Sequence, residues 1–362
     1  MRICLFEGHA DVTAGGAEKS MASFCDFLIE AGHDVYLICE KKGTYTFKGL
    51  SVVGILEVDT QPVKVQGVFG FFRNIFNVCQ FLRRNNVEVL LTHTIHAFAM
   101  LRILKFFVSI RVVVYLKWIY YGDSIGLLSN WGIKGLDHVI AINAYVGDYW
   151  SKFTKSLVTS FVPDGVSSPV SALAPEVDKR LLFLGRIYEG KGLHLLLESM
   201  EFLDEGYILD IVGFFDPEGV HEQSEYHRVI QELASKPALK GRVRFHGLQK
   251  QTEQYYSSAS LIVVPSVWGD AQPLVILEAM ASSKMVIGSA VGGIPFIFSG
   301  ELESLVFEPE KYALSKKINE ICSMDSKEKE LIKHKLKGRF SLIYSADITQ
   351  KRLEQLVMTV NH

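Results

Sequence analysis

Short apolar runs alternate along most of the chain with longer stretches in which apolar residues recur at helical spacing. That is the pattern of parallel strands joined by crossover helices, because a strand buried on both faces reads as an unbroken apolar run. In the first half the spacing predicts strands at Ile3–Phe6, Val35–Cys39, Val87–Thr92, Val112–Leu116 and Val139–Asn143. In the second half it predicts Arg180–Leu184, Tyr207–Val212, Val243–Phe245, Leu261–Pro265 and Met285–Ser289. A chain of 362 residues exceeds one ordinary core, so the two series predict two α/β domains. The turn-rich run from Val162-Pro163-Asp164-Gly165 through Pro169 to Pro175 separates them, giving domains 1–167 and 168–344. The last stretch, about 345–362, is expected to pack back on the first domain as a helix.

With 48% apolar and 22% charged residues this is a globular chain rather than a disordered one. Its 38 basic and 40 acidic residues nearly cancel, which leaves no argument for nucleic acid as a partner. The five cysteines, at 4, 25, 39, 79 and 322, form no CxxC pair and fit reduced thiols of a cytoplasmic protein. No secretory leader is expected, since Glu7 follows only four apolar residues, and no membrane span, since Arg102, Lys105, Arg111 and Lys117 interrupt Phe98 to Tyr121.

Local charge is less even. Within Gln61–Ile119 the basic residues Lys64, Arg73, Arg83, Arg84, Arg102, Lys105, Arg111 and Lys117 face Glu88 alone, a net charge of +7. Phe69, Phe72 and Phe76 recur there at helical spacing. They form either an apolar stripe for an anionic membrane surface or a core face with solvated arginines beside it.

Three segments could carry chemistry. After the first strand, Gly15-Gly16-Ala17-Glu18 opens a helix, where backbone amides can approach an anion. In Gly185-Arg186-Ile187-Tyr188-Glu189-Gly190-Lys191-Gly192, two long cations just past a strand end can converge on a pyrophosphate, Arg186 as a fork and Lys191 as a point charge. The run fails as a magnesium-binding phosphate loop, because Gly192 stands where that loop needs Ser or Thr. In Val263–Ala281, Pro273 is expected at the first helical position, leaving the Leu274 and Val275 amides for a phosphate and placing Glu278 within reach of a ribose diol. No carboxylate pair or His/Cys cluster has metal-ligand spacing, so no metal site is expected.

Taken in order, Gly15-Gly16-Ala17-Glu18, the Val162-Pro163-Asp164-Gly165-Val166 junction, Arg186 with Lys191, Asp270 eight positions before Glu278 in a run ending Glu-Ala-Met-Ala, and Val291-Gly292-Gly293-Ile294-Pro295 resemble the retaining glycosyltransferases of family 4. The resemblance implies a GT-B fold, two Rossmann-like domains with parallel sheets, the first for the acceptor and the second for a nucleotide diphosphate-sugar. It implies a catalytic role for Arg186, Lys191 and Asp270, with Arg186 and Lys191 on the diphosphate, Asp270 on the donor sugar and Glu278 on the ribose. Gly15, Gly16, Leu248, Gln249, Leu274 and Val275 complete the donor side. UDP-sugars are the favoured donors, no further cofactor is implied, and the acceptor would be a glycan, lipid-linked, on the inner face of the cytoplasmic membrane in bacterial polysaccharide synthesis.

The sequence departs from that family at Asp270, where Glu is usual, at Phe296, where Glu follows Pro, and at Lys117, where a histidine often ends the strand. His93 and His96 are the nearest histidines to that side, so His93 and Lys117 are the acceptor-side candidates. Two rival readings are an epimerase of the same fold and a nucleotide-sugar-binding module without catalysis.

Overall fold

The structure, a computed structural model, describes residues 1–7, 16–39, 52–58, 63–94, 98–119, 131–134, 136–154, 158–167, 175–215 and 222–359. Gly15, His96 and the junction stretch 168–174 lie outside the described residues. The chain forms two compact units, Met1–Asp164 with Thr349–His362, and Gly165–Ile348.

The first unit is built on β1 (Arg2–Glu7), β2 (Asp34–Cys39), β3 (Gly54–Glu57), β4 (Val89–Thr92), β5 (Arg111–Leu116), β6 (His138–Ala141) and β7 (Val158–Phe161). They form one parallel sheet in the order β3-β2-β1-β4-β5-β6-β7. Helix α1 (Gly16–Glu30) links β1 to β2, and α2 (Val63–Arg84) links β3 to β4. The interior strands β1, β2, β4 and β5 are buried along nearly their whole length, which is why they read as continuous apolar runs. The helix Ala346–Thr359 joins this unit through Glu354 Oε1, 2.7 Å from His33 Nε2, and Gln350, which donates to Ser23 Oγ at 2.8 Å.

The second unit has β8 (Arg180–Leu184), β9 (Ile208–Val212), β10 (Val243–Gly247), β11 (Leu261–Val264), β12 (Val286–Ser289) and β13 (Val306–Phe307), parallel in the order β10-β9-β8-β11-β12-β13. Its core is a single cluster of aliphatic and aromatic side chains from both faces of that sheet. Each sheet reverses its winding once, between β1 and β4 and between β8 and β11. All carboxyl ends of a parallel sheet share one edge, and ligands enter such folds outside that edge where the strand order reverses.

Three strands escaped the apolar-run reading: β3, β7 and β13. All three are edge strands. β3 alternates half-buried and exposed residues, and β13 is two residues long, so neither produces an apolar run. Among the described residues no helix is long and apolar enough to cross a membrane.

Candidate functional site

The loops after β8, β10, β11 and β12 gather on one edge of the second sheet. Past β8, Glu189–Lys191 makes a single tight turn, and Gly192 closes it with φ +70° before the helix Leu193–Met200. A Cβ on Gly192 would lie 1.8 Å from the Pro265 carbonyl oxygen, so the β8 and β11 loops touch backbone to backbone. The amides of Val267 and Trp268 both donate to the Gly190 carbonyl, at 2.9 and 3.3 Å. These contacts explain why residues 79 positions apart meet: the Lys191 ammonium forms an ion pair with Asp270 Oδ2. Burial would lower the Lys191 pKa, but the Asp270 carboxylate outweighs it and holds the pKa above the usual value. Arg186 is exposed, its guanidinium 5.5 Å from the Tyr188 ring centroid. Two cations therefore stand at the carboxyl end of β8, Lys191 paired with Asp270 and Arg186 beside the Tyr188 ring.

The Asp270 loop is itself fastened down. Gly293 donates its amide to the Asp270 carbonyl at 2.8 Å, and Gly292, at φ +60°, leaves no room for a Cβ against the Asp270 backbone. The Gly292-Gly293 pair after β12 thus positions Asp270. Beyond it, the helix Leu274–Ala281 begins one residue later than the sequence suggested. Pro273 has the φ of a helix, −62°, but an extended ψ of 116°, so it is the residue that precedes the first turn rather than its first member. Ile276 donates the first turn-closing bond, to the Pro273 carbonyl at 3.1 Å, so the Leu274 and Val275 amides precede the helical ladder as expected.

Glu278 sits half-buried in that helix, and Tyr256 donates to its Oε2 at 2.5 Å. Burial, then the Glu278 charge, pushes the Tyr256 phenol well above its usual pKa, so it remains a donor. A carboxylate with one oxygen fixed presents the other in a defined direction, which suits a vicinal diol. Leu248 is exposed just past β10, and Gln249 donates to the His246 carbonyl at 2.7 Å, closing that turn. The edge thus combines two cations, two helix-start amides and an oriented carboxylate, a set that fits an anion joined to a polyol.

In the first unit the corresponding edge holds Glu7 at the end of β1, His93 just after β4, Lys117 just after β5, and Gly16 opening α1. Lys117 is buried and paired with Asp164 Oδ1 at 2.9 Å. Ser20 and Tyr115 donate to the same oxygen, and Lys117 also reaches the Ala17 carbonyl at 3.3 Å. Asp164 of the Val162–Val166 motif is therefore the anchor of this cluster.

Two family models divide the chain between them. "Glycosyltransferase Family 4" matches residues 14–166, and "Glycosyl transferases group 1" matches 168–337. The chain belongs to the family 4 type of GT-B glycosyltransferases. The lipopolysaccharide 1,2-N-acetylglucosaminetransferase of Salmonella typhimurium is 26% identical over 235 residues, 60% of this chain and 61% of the relative. The match thus spans about three fifths of that relative's length. A glycosyltransferase from Rickettsia africae superposes with TM-score 0.84 at 15% identity, over 99% of this chain and 98% of the other. HepE of Anabaena, solved in complex with UDP, superposes with TM-score 0.81 at 16% identity, over 99% of each chain. The two likenesses establish the GT-B fold of this family 4 chain.

Three features of this family 4 chain have no signature in its sequence: Tyr256 on Glu278, the direct Lys191–Asp270 pair, and Glu7 against His93. Only the spatial arrangement shows them, since each joins residues on different elements. Phe69 is 94% exposed, and Phe72 and Phe76 project from the same face of α2, while Ile75, Val78, Cys79 and Leu82 fill the core side. The reading of that stripe as a core face is thereby corrected.

Proposed function

We propose that the protein transfers a sugar from a nucleotide diphosphate-sugar, with UDP as the favoured nucleotide, to a lipid-linked glycan of the bacterial cell surface. The observation that carries this reading is that Arg186 and Lys191, the latter paired with Asp270, follow β8 while the helix bearing Glu278 follows the adjacent strand β11, so both lie past the carboxyl ends of the second sheet. HepE has been solved with UDP and with UDP-glucose, and the Salmonella relative is a lipopolysaccharide sugar transferase; both support the donor and acceptor classes. Arg186 and Lys191 take the diphosphate and Glu278 the ribose. Asp270, once Lys191 turns to the phosphate, takes the donor sugar, with Leu248 and Gln249 at the rim of the donor's surroundings. The first unit takes the acceptor, beside His93 and Lys117.

As the glycosidic bond breaks, negative charge builds on the leaving diphosphate. Cations and amides fixed in place stabilise that charge more in the transition state than in the ground state. On this reading the protein's own charges supply what a metal would, and the sugar leaves and is attacked on one face, with retention. Turnover of nucleotide sugars should persist in EDTA, and nuclear magnetic resonance of the product should show the donor's anomeric configuration. Activity lost on chelation and restored by magnesium or manganese would contradict the metal-free reading, and an inverted product would contradict retention.

The acceptor's lipid places the protein peripherally on the inner face of the cytoplasmic membrane. Phe69, Phe72 and Phe76, with Phe106 and Phe107 also exposed, form the apolar contact, and Arg73, Arg83 and Arg84 the charged one. Each such cation near an anionic surface is worth about 1 kcal/mol, falling off within a Debye length. Co-sedimentation with liposomes should require anionic lipid, weaken as salt rises, and drop when the three arginines become glutamate. Failure to bind anionic vesicles at low salt would remove the membrane from the account.

A further inference from the structure

Glu278 is the one charged residue of the helix Leu274–Ala281, where Leu277, Ala279 and Met280 beside it are buried. Its carbonyl accepts twice from Ser282, from the amide at 3.0 Å and from Oγ at 2.7 Å, so the backbone of the residue is fixed. What remains free is the rotation of its carboxylate, and Tyr256 removes that freedom. The phenol, 4% exposed, donates to Oε2 at 2.5 Å. The helix Glu253–Ser258 that carries Tyr256 is itself held at the end of β10: the ring of the neighbouring Tyr255 lies 4.8 Å from that of His246, whose Nε2 lies 2.6 Å from Asp210 Oδ1. Among the described residues no group donates to Glu278 Oε1, and that oxygen is not sealed from solvent. One oxygen of a half-buried carboxylate is thus held from the core, and the other is left open.

We propose that Tyr256 is a positioning residue that sets the Glu278 carboxylate across the 2′- and 3′-hydroxyls of the donor's ribose, and that it thereby makes the second unit select ribonucleotides over 2′-deoxyribonucleotides. The inference rests on Glu278 binding the ribose, as proposed above, and concerns the second unit alone. A buried phenol needs an acceptor, but a neutral one is enough: Tyr207 meets that need with Asn319 Oδ1 at 3.1 Å. Tyr256 instead meets a carboxylate, and burial, then the Glu278 charge, holds the phenol well above its usual pKa, so it stays a donor. A hydrogen bond to a charged acceptor is short and directional, and it pins the carboxylate in one rotation.

Each carboxylate oxygen can accept two hydrogens, so with one place on Oε2 taken by Tyr256 an acceptor remains on either oxygen for two vicinal hydroxyls. Glu278 stands four residues after Leu274, about 6 Å along the helix axis, which suits a ribose whose phosphates lie at the helix start. A ribose fills both places. A 2′-deoxyribose fills one and leaves a desolvated carboxylate oxygen unpaired, which is why a site built for a hydroxyl rejects the analogue that lacks it. That rejection depends on the carboxylate being held, because a carboxylate free to turn meets one hydroxyl as readily as two. Tyr256→Phe keeps the ring in the core and deletes only the oxygen, so it should weaken the ribonucleotide and spare the deoxyribonucleotide. A loss of packing would weaken both alike.

The test is a calorimetric titration of the full chain with UDP and with 2′-deoxyuridine diphosphate, repeated on Tyr256→Phe with melting temperatures recorded. The wild type should bind UDP roughly 10- to 100-fold more tightly than its 2′-deoxy counterpart, the worth of one hydrogen bond to a charged group. In Tyr256→Phe that ratio should shrink by roughly threefold to tenfold, through weaker UDP binding with the 2′-deoxy nucleotide little changed. Tyrosine-13C nuclear magnetic resonance of the wild type, which needs no variant to fold, should show the Tyr256 ring signal moving on saturation with UDP and much less with the 2′-deoxy nucleotide. A folded Tyr256→Phe that keeps the wild-type ratio, or a Tyr256 signal that answers both nucleotides alike, would overturn the inference and leave the donor reading standing. A wild type that binds both nucleotides equally would take the ribose from Glu278, and one that binds neither would bring down the reading of the preceding subsection; this inference falls with each.

Discussion

Replacing Arg186 or Lys191 by alanine is expected to lower turnover by roughly two or more orders of magnitude, the loss seen when a comparable transition-state donor is removed. The two residues differ in a way the kinetics should expose. Lys191 lies within a turn and is paired with Asp270, so Lys191→Ala leaves the Asp270 carboxylate uncompensated beside an incoming diphosphate. Arg186 is exposed and stands over the Tyr188 ring, so Arg186→Ala removes a fork of donors with little effect on the fold. Both should lower kcat and kcat/KM together, because the contact strengthens as the bond breaks. Steady-state kinetics with an identified donor is the check, and a folded variant with near-normal turnover would remove that residue from the mechanism.

Gly192→Ala should destabilise the second unit and weaken its hold on the donor. The residue has φ +70°, and an added methyl would lie 1.8 Å from the Pro265 oxygen, 2.8 Å from its carbonyl carbon and 3.2 Å from Val267 Cγ1. Left-handed backbone at a residue with a side chain costs about 1–3 kcal/mol, and here the β11 loop must also move away. At roughly 2–4 °C per kcal/mol for a unit of this size, the melting temperature should fall by several degrees. Donor affinity should fall as well, because the displaced loop carries Val267, Trp268 and Asp270 away from Gly190 and Lys191. Thermal unfolding beside a binding titration decides it: unchanged melting and unchanged affinity together would show that the loops do not meet at Gly192.

The interior strands were legible because burial on both faces writes itself into the sequence as unbroken apolar runs, as in Ile3–Phe6 and Leu261–Val264. The edge strands β3 and β13 leave no such trace, the first because it alternates half-buried and exposed residues and the second because it is two residues long, whereas the edge strand β10 was legible as Val243–Phe245. The same division runs through the site. Arg186, Lys191 and Glu278 stand out as charges beside glycines or within apolar helix, where a charge needs a reason to be. Their partners do not stand out: Tyr256 reads as an ordinary core aromatic until Glu278 is placed against it, and Glu7 reads as a strand-ending acid until His93 is seen 2.9 Å away. Asp164 was legible as a turn residue, but its task of gathering Lys117, Tyr115 and Ser20 depends on β5 with the residue that follows it and on α1. Local chemistry can be read along the chain, whereas compensation between distant residues waits for the fold.

The central claim is that the edge of the second sheet binds a nucleotide diphosphate-sugar through Arg186 and Lys191, and a thermal-shift screen of nucleotide sugars against the wild-type chain and the Arg186→Ala/Lys191→Ala double variant tests it most directly. A true donor at a hundred times its dissociation constant adds about 2.7 kcal/mol to the stability of the protein that binds it. The account predicts that at least one UDP-sugar raises the melting temperature of the wild type and leaves the double variant unmoved. Stabilisation of both proteins alike, or of neither by any nucleotide sugar, would contradict it.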